Sequence, residues 1–184
     1  MSRQFWSETV AWATASGASV NSANVETILF PNVTLPANFM QDGRALRLRA
    51  QGQWTTTAST PTLIFSVRWG GVSGTVLCKT AACTTVASTT AAMWDLDIII
   101  QTRSNGSSGT VMAIGTARVF AGVAGTIAST TGEGLVTPMG SAGVLAPAAV
   151  TVDLTADTAL SLTVTPSTTA ATIIGLNYTI EVLN

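Results

Sequence analysis

The sequence predicts an all-β fold: an antiparallel, jelly-roll-like β-sandwich of about eight to ten strands. Three observations predict it. The chain is rich in Thr, Ala, Ser, Val, Leu, Ile and Gly, which suit pleated sheets and small polar turns. Apolar residues alternate with period two in one segment after another. Gly and Pro punctuate those segments at short intervals, and no stretch carries the spacing of an amphipathic helix. An immunoglobulin-like sandwich fits less well, because it runs to about 100 residues with its cysteines far apart. This chain has 184 residues, and Cys78 and Cys83 are close neighbours.

The first 24 residues read as an N-terminal arm, small and polar except for Phe5, Trp6, Val10 and Trp12. Two readings stand side by side. The aromatics anchor the arm on a neighbouring subunit, or they cap one end of the domain's own core. Residues 25–184 read as one sandwich domain. Strand character begins at 25–30, is broken by Pro31 and Pro36, and turns at Asp42-Gly43. Over 44–54 the alternation is clean, with Leu46, Leu48 and Ala50 on one face and Arg47, Arg49 and Gln51 on the other. Pro61 opens a strand over 62–69 with Leu63, Phe65 and Val67 on one face, and Gly70-Gly71 turns it. Strand character resumes at 75–77 and, more weakly, at 83–86.

Over 94–103, Asp95 and Asp97 share one face while Trp94, Leu96 and Ile98 share the other. A turn cluster at 104–109 leads into a strand over 110–120. Residues 121–149 read as a long glycine-rich loop, a length that in a compact domain marks function or disorder. Three strands close the chain, at 150–154, 159–164 and 173–183. In the last, Ile174, Leu176, Tyr178, Ile180 and Val182 fall on one side of an unbroken alternation.

Composition narrows the function classes. The chain has no histidine, and 9% of its residues are charged. General acid–base catalysis and metal binding lean on histidine more than on any other side chain. No catalytic residue is therefore expected, nor any metal or cofactor. A serine nucleophile would lack its base. Gly70-Gly71-Val72-Ser73-Gly74 lacks the Lys-Ser/Thr of a phosphate loop and reads as a hairpin turn. Eight basic residues are scattered against nine acidic ones, so no nucleic-acid partner is expected.

Nor is a membrane partner expected. Mean hydropathy is high at +0.44, yet no window supplies the ~20 continuous apolar residues of a spanning helix. Trp6, Ser7 and Glu8 interrupt the opening residues where a signal peptide would carry its apolar core. Two cysteines without a second pair or a histidine do not make a zinc site. A disulfide across a hairpin is one option for them, and two free buried thiols are the expected state. Net charge of −1 gives little colloidal repulsion, so much of the surface is expected to be covered on assembly.

Two constellations remain. If the strands carrying Arg47 and Arg49 and those carrying Asp95 and Asp97 pair, the four make a cross-strand ladder of opposite charge. That ladder is either structural or a lock between subunits; a carboxylate pair serving glycoside hydrolysis is the less supported reading. Trp54, Trp69 and Trp94 each fall at a strand end, where core packing is expected over a sugar-binding groove.

Certain runs resemble tailed-bacteriophage virion structural proteins. They are Val33-Thr34-Leu35-Pro36-Ala37-Asn38-Phe39, then Gly43-Arg44-Ala45-Leu46-Arg47-Leu48-Arg49-Ala50-Gln51-Gly52, Thr60-Pro61-Thr62-Leu63 and Arg68-Trp69-Gly70-Gly71. Met93-Trp94-Asp95-Leu96, the run Arg103-Ser104-Asn105-Gly106-Ser107-Ser108-Gly109-Thr110-Val111 and Val150-Thr151-Val152-Asp153-Leu154-Thr155 fit the same pattern. The resemblance spans roughly residues 25–183, and its motifs are turns and strand starts. It implies a jelly-roll-like domain, often trimeric, on the outer capsid surface or on a fibre or tail, and it brings no catalytic residue.

The expectation is a capsid decoration (cement) protein, made in the host cytoplasm, that binds the major capsid protein as a homotrimer and stabilises the shell. The alternative is a tail or head-fibre domain recognising a bacterial surface glycan. Phe5, Trp6, Trp12, Arg47, Arg49, Asp95 and Asp97 are the candidate capsid or intersubunit contacts, and the 121–143 stretch is a further candidate for capsid contact.

Overall fold

The computed structural model describes residues 8–120, 135–141 and 147–183, and every regular element in them is a strand. In chain order these are β1 (Glu8–Trp12), β2 (Thr27–Ile28), β3 (Val33–Leu35), β4 (Ala45–Thr56), β5 (Thr62–Trp69), β6 (Thr75–Lys79) and β7 (Cys83–Thr84). They continue with β8 (Ala92–Ser104), β9 (Gly109–Val119), β10 (Leu135–Met139), β11 (Val150–Val152), β12 (Thr158–Pro166) and β13 (Ala171–Val182). One sheet runs β1-β13-β4-β8-β9-β10, with β11 also on β9; the other runs β2-β12-β5-β6, with β3 on β12 and β7 on β5. All pairings are antiparallel.

The jelly roll is legible in that order. β1-β13-β4-β8 in one sheet faces β2/β3-β12-β5-β6 in the other, which is the double Greek key. Beyond β8 the chain adds β9, β10 and β11, which widen the first sheet. The expected sandwich is thus present, with more strands than expected because several are only two or three residues long.

Period two builds the core. Leu46, Leu48, Ala50 and Trp54 of β4 and Trp94, Leu96, Ile98 and Ile100 of β8 are buried, and so are Leu63, Phe65, Val67 and Trp69 of the facing β5. Phe65 and Trp94 tie the two sheets together, their ring centroids 5.0 Å apart and tilted by 40°. Trp94 has room because its cross-strand partner is Gly52. A methyl group there would overlap both the indole and the Ile174 carbonyl oxygen. Trp54, Trp69 and Trp94 are therefore core residues.

The last strand departs from unbroken alternation. Between Gly175 and Asn177 the register with β4 slips by one residue, a β-bulge. The bulge flips the phase. Ile173 and Gly175 point inward before it, and Tyr178, Ile180 and Val182 after it. Ile174 and Leu176, expected on the same side as Tyr178, Ile180 and Val182, therefore face the other way, and Leu176 is 44% exposed. Gly175 itself packs beneath the Phe30 ring, where no side chain fits.

Part of the expected glycine-rich loop is a strand. β10 pairs with β9 from Leu135↔Val119 to Met139↔Gly115, burying Thr137 and Met139. Pro138 is compatible because β10 lies at the end of its sheet's strand order, where a missing N–H breaks no ladder. Residues 121–134 and 142–146 of that stretch lie outside the described residues.

The described part of the expected arm runs along the chain's own last strand. β1 pairs with β13. Ala13 N–H then donates to the Tyr178 carbonyl (2.9 Å), Gly17 N–H to that of Gly175 (2.8 Å) and Val20 N–H to that of Ile173 (2.8 Å). Along one side of the sandwich the two sheets are bridged, because Lys79 N–H donates to the Gly140 carbonyl at 2.9 Å. Along the opposite side, residues 12–18 and 28–32 form the walls of an open groove. Cys78 and Cys83 are buried and unbonded, and burial pushes the Cys78 thiol up to about 12.

Candidate functional site: the outer face of the larger sheet

The alternation that buries Leu48 and Leu96 necessarily turns Arg47, Arg49, Asp95 and Asp97 outward. β4 and β8 pair, so the predicted ladder forms: Arg49 lies opposite Asp97, and Gln51 opposite Asp95. The contacts are unequal. Arg47 reaches diagonally and grips Asp97 with two bonds, Nε to Oδ1 at 2.9 Å and Nη2 to Oδ2 at 2.5 Å. Arg49 Nε adds a third contact to Oδ2 at 3.5 Å. Asp95 gets neither. Its partner is Arg118 of β9, with Nε 3.5 Å from Oδ1. On the other flank, Glu181 of β13 lies opposite Arg47.

Arg118 was missing from the sequence-derived set. Its outward phase in β9 was readable, but that β9 lies against β8 with Arg118 opposite Asp95 is a fact of register. The same holds for Glu26 and Arg68 on the smaller sheet. They form a bidentate pair with both distances 2.5 Å, and the Thr163 hydroxyl also donates to Glu26. Nothing in the sequence links residues so far apart.

The two aspartates titrate in opposite directions. Hydrogen bonds from Arg47 hold the Asp97 carboxyl below its ordinary value, against burial. Burial raises Asp95, and the more distant Arg118 only partly offsets it. At Glu26 burial works upward, but the bonds from Arg68 and Thr163 outweigh it and leave the carboxyl lowered. Chemically, the ladder is a set of charges neutralised within the face rather than a field of one sign.

The same face also carries exposed apolar side chains among Gln51, Gln53, Gln101 and Thr116. Ile99 and Ile114 are directly opposite across β8 and β9 and are 38% and 44% exposed; Met93 is 46% and Val136 61% exposed.

Of the aromatic candidates, Phe5 and Trp6 lie outside the described residues. Trp12, at the end of β1, is 60% exposed, lies opposite Thr179 and is one of the residues lining the groove. Among the described residues there is no cluster of three or more His, Cys, Asp or Glu placed to hold a metal ion, and no helix long and apolar enough to cross a membrane. Comparison with protein-family models, curated proteins and solved structures gave no match.

Proposed function

We propose that the chain is a capsid decoration protein of a tailed bacteriophage. It binds the major capsid protein on the outer shell as a homotrimer, through the outer face of the larger sheet. One observation carries the reading: that face sets Met93, Ile99, Ile114 and Val136 around arginines and carboxylates that already neutralise one another.

Such a face is inexpensive to bury. Apolar surface contributes about 25 cal/mol per Å² removed from water, and charges that keep their partners lose less on desolvation than unpaired ones. Each copy contributes a modest contact, and three linked copies bind with avidity. The jelly-roll order also occurs in viral capsid domains, a likeness of fold and not of role.

The test uses shells stripped of, or made without, this protein. Wild-type chain is expected to sediment with the shells, whereas the double substitution Ile99→Asp plus Ile114→Asp is expected to stay folded by circular dichroism and remain in the supernatant. Co-sedimentation of the folded double variant at wild-type level overturns the assignment of this face. Failure of the wild type to bind, or its absence from purified virions, overturns the function. Deleting residues 1–20 would not test this face cleanly, because it removes β1 from the sheet.

A further inference from the structure

We infer that Asn105 is a site of self-modification: the backbone nitrogen of Gly106 closes on the Asn105 carboxamide, and the residue becomes aspartate or isoaspartate. This chemistry is independent of what the chain binds.

The position is singular in the sequence and open in the fold. Asn105 is the only asparagine followed by glycine. It stands exposed in the turn between β8 and β9. Gly106 has a φ of 108°, and nothing lies within 4 Å of the place a Cβ would take. With no side chain and open space beside it, its nitrogen can approach a group that a bulkier residue would screen.

The turn aims the two groups at each other. Gly106 N–H donates to the Asn105 Oδ1 at 2.8 Å, and the Asn105 Nδ2 donates to the Gln41 Oε1 at 3.3 Å. The carboxamide is thus held at both ends, with its oxygen toward Gly106. A C=O bond is about 1.2 Å long, which puts Cγ within about 4 Å of the Gly106 nitrogen. Reacting atoms poised for attack are about 3–3.5 Å apart, so a small rotation brings the pair together.

The step balances with water alone. Hydroxide removes the Gly106 amide proton, and the nitrogen bonds to Asn105 Cγ. The Cγ–Nδ2 bond breaks, and Nδ2 leaves as ammonia with a proton from water. Water then opens the five-membered imide. Breaking the bond from the Gly106 nitrogen to Cγ gives aspartate; breaking its bond to the main-chain carbonyl carbon gives isoaspartate, whose backbone runs through Cβ. Either product adds a negative charge to a chain whose net charge is −1.

A second dipeptide isolates the role of geometry. Asp42-Gly43 could form the same imide with loss of water, but Gly43 N–H donates to the Thr102 carbonyl at 3.2 Å, which holds it toward β8. The modification also has a structural consequence. The Gly106 carbonyl accepts from the Gly109 amide at 3.0 Å and the Leu154 amide at 3.1 Å, and Leu154 is buried. Isoaspartate lengthens the backbone just before that carbonyl, which loosens the turn and its tie to the segment after β11.

The experiment keeps the full chain in mildly alkaline buffer and follows its charge forms by ion exchange and its peptides by mass spectrometry. A more acidic form is expected, with the amide-to-acid mass change at Asn105 ahead of every other asparagine and a rate that rises with hydroxide concentration. Asp42 is expected to stay unisomerised over the same time. Asn105→Gln, whose imide would be six-membered, should fold as the wild type does and lose the acidic form. Three results overturn the inference. One is Asn105 unchanged in native protein over a time that converts it in denaturant. Another is an acidic form undiminished in Asn105→Gln. The third is Asp42 isomerising as fast as Asn105 converts, which would remove the role of the turn's geometry.

Discussion

Asp95 and Asp97 sit two residues apart on one strand, yet neutralising them should have different consequences. Consider Asp97→Asn. It keeps the shape and removes the charge that accepts two hydrogen bonds from Arg47 and a longer contact from Arg49. The Asp97 side chain is about one-third exposed. Hydrogen bonds to charged groups contribute about 1.5–3 kcal/mol when well buried, and exposed ion pairs about 0–1. An intermediate site gives about 1–1.5 kcal/mol, which for a chain of this length is about 3–5 °C in Tm.

Asp95→Asn removes a carboxylate that burial disfavours and that only a 3.5 Å contact supports. Its expected change is within about 0.5 kcal/mol in either direction. The sign with pH follows from Asp97 being lowered in the folded state. Its stabilisation is complete above the unfolded carboxyl value of about 3.9 and is lost as pH falls through the lower folded value. The gap between wild type and Asp97→Asn should therefore be constant from neutral pH down to about pH 5 and shrink below about pH 4.

Thermal unfolding at a series of pH values, at fixed salt, measures it. Equal losses for the two variants at pH 7, or a gap that widens on acidification, would refute the account of the ladder.

Three further predictions follow from the packing and the burial. Gly52→Ala should destabilise by about 2–3 kcal/mol, since the new methyl meets a backbone carbonyl and the Trp94 ring; denaturant unfolding reports it, with Gly43→Ala, whose site is open but at positive φ, as a comparison for pure backbone strain. Ala91 holds φ at 53°, where an L side chain is strained, so Ala91→Gly should stabilise by about 0.5–1 kcal/mol in the same assay. Cys78, with its thiol pushed up to about 12 by burial, should resist alkylation at pH 8 in native protein and react promptly in denaturant, as mass spectrometry of the labelled peptide would show.

Much of this was readable from local pattern. The alternation at 44–54, 62–69 and 94–103 located three central strands and sorted their faces correctly, because a half-buried strand repeats every two residues whatever it pairs with. The reading failed in two kinds of place. Leu176 was misassigned because a bulge shifts the phase, and a bulge is set by the facing strand. β10 was hidden in a Gly- and Ala-rich stretch, since a short edge strand needs little propensity of its own once β9 offers an unpaired ladder. For the candidate site, the four ladder residues were legible as two outward pairs, whereas Arg118 and the exposed apolar side chains that share its face were not.

The sequence by itself determined that this chain makes sheets, which residues of each long strand face inward, and how little of it titrates near neutral pH. Tertiary structure alone decided who stands beside whom: Arg47 rather than Arg49 taking the main hold on Asp97, Arg118 opposite Asp95, Glu26 against Arg68, and residues 12–18 across from 28–32. The reason is physical. Alternation is a property of one strand's own backbone, while register and sheet order come from packing the strands together, and that is a property of no single segment.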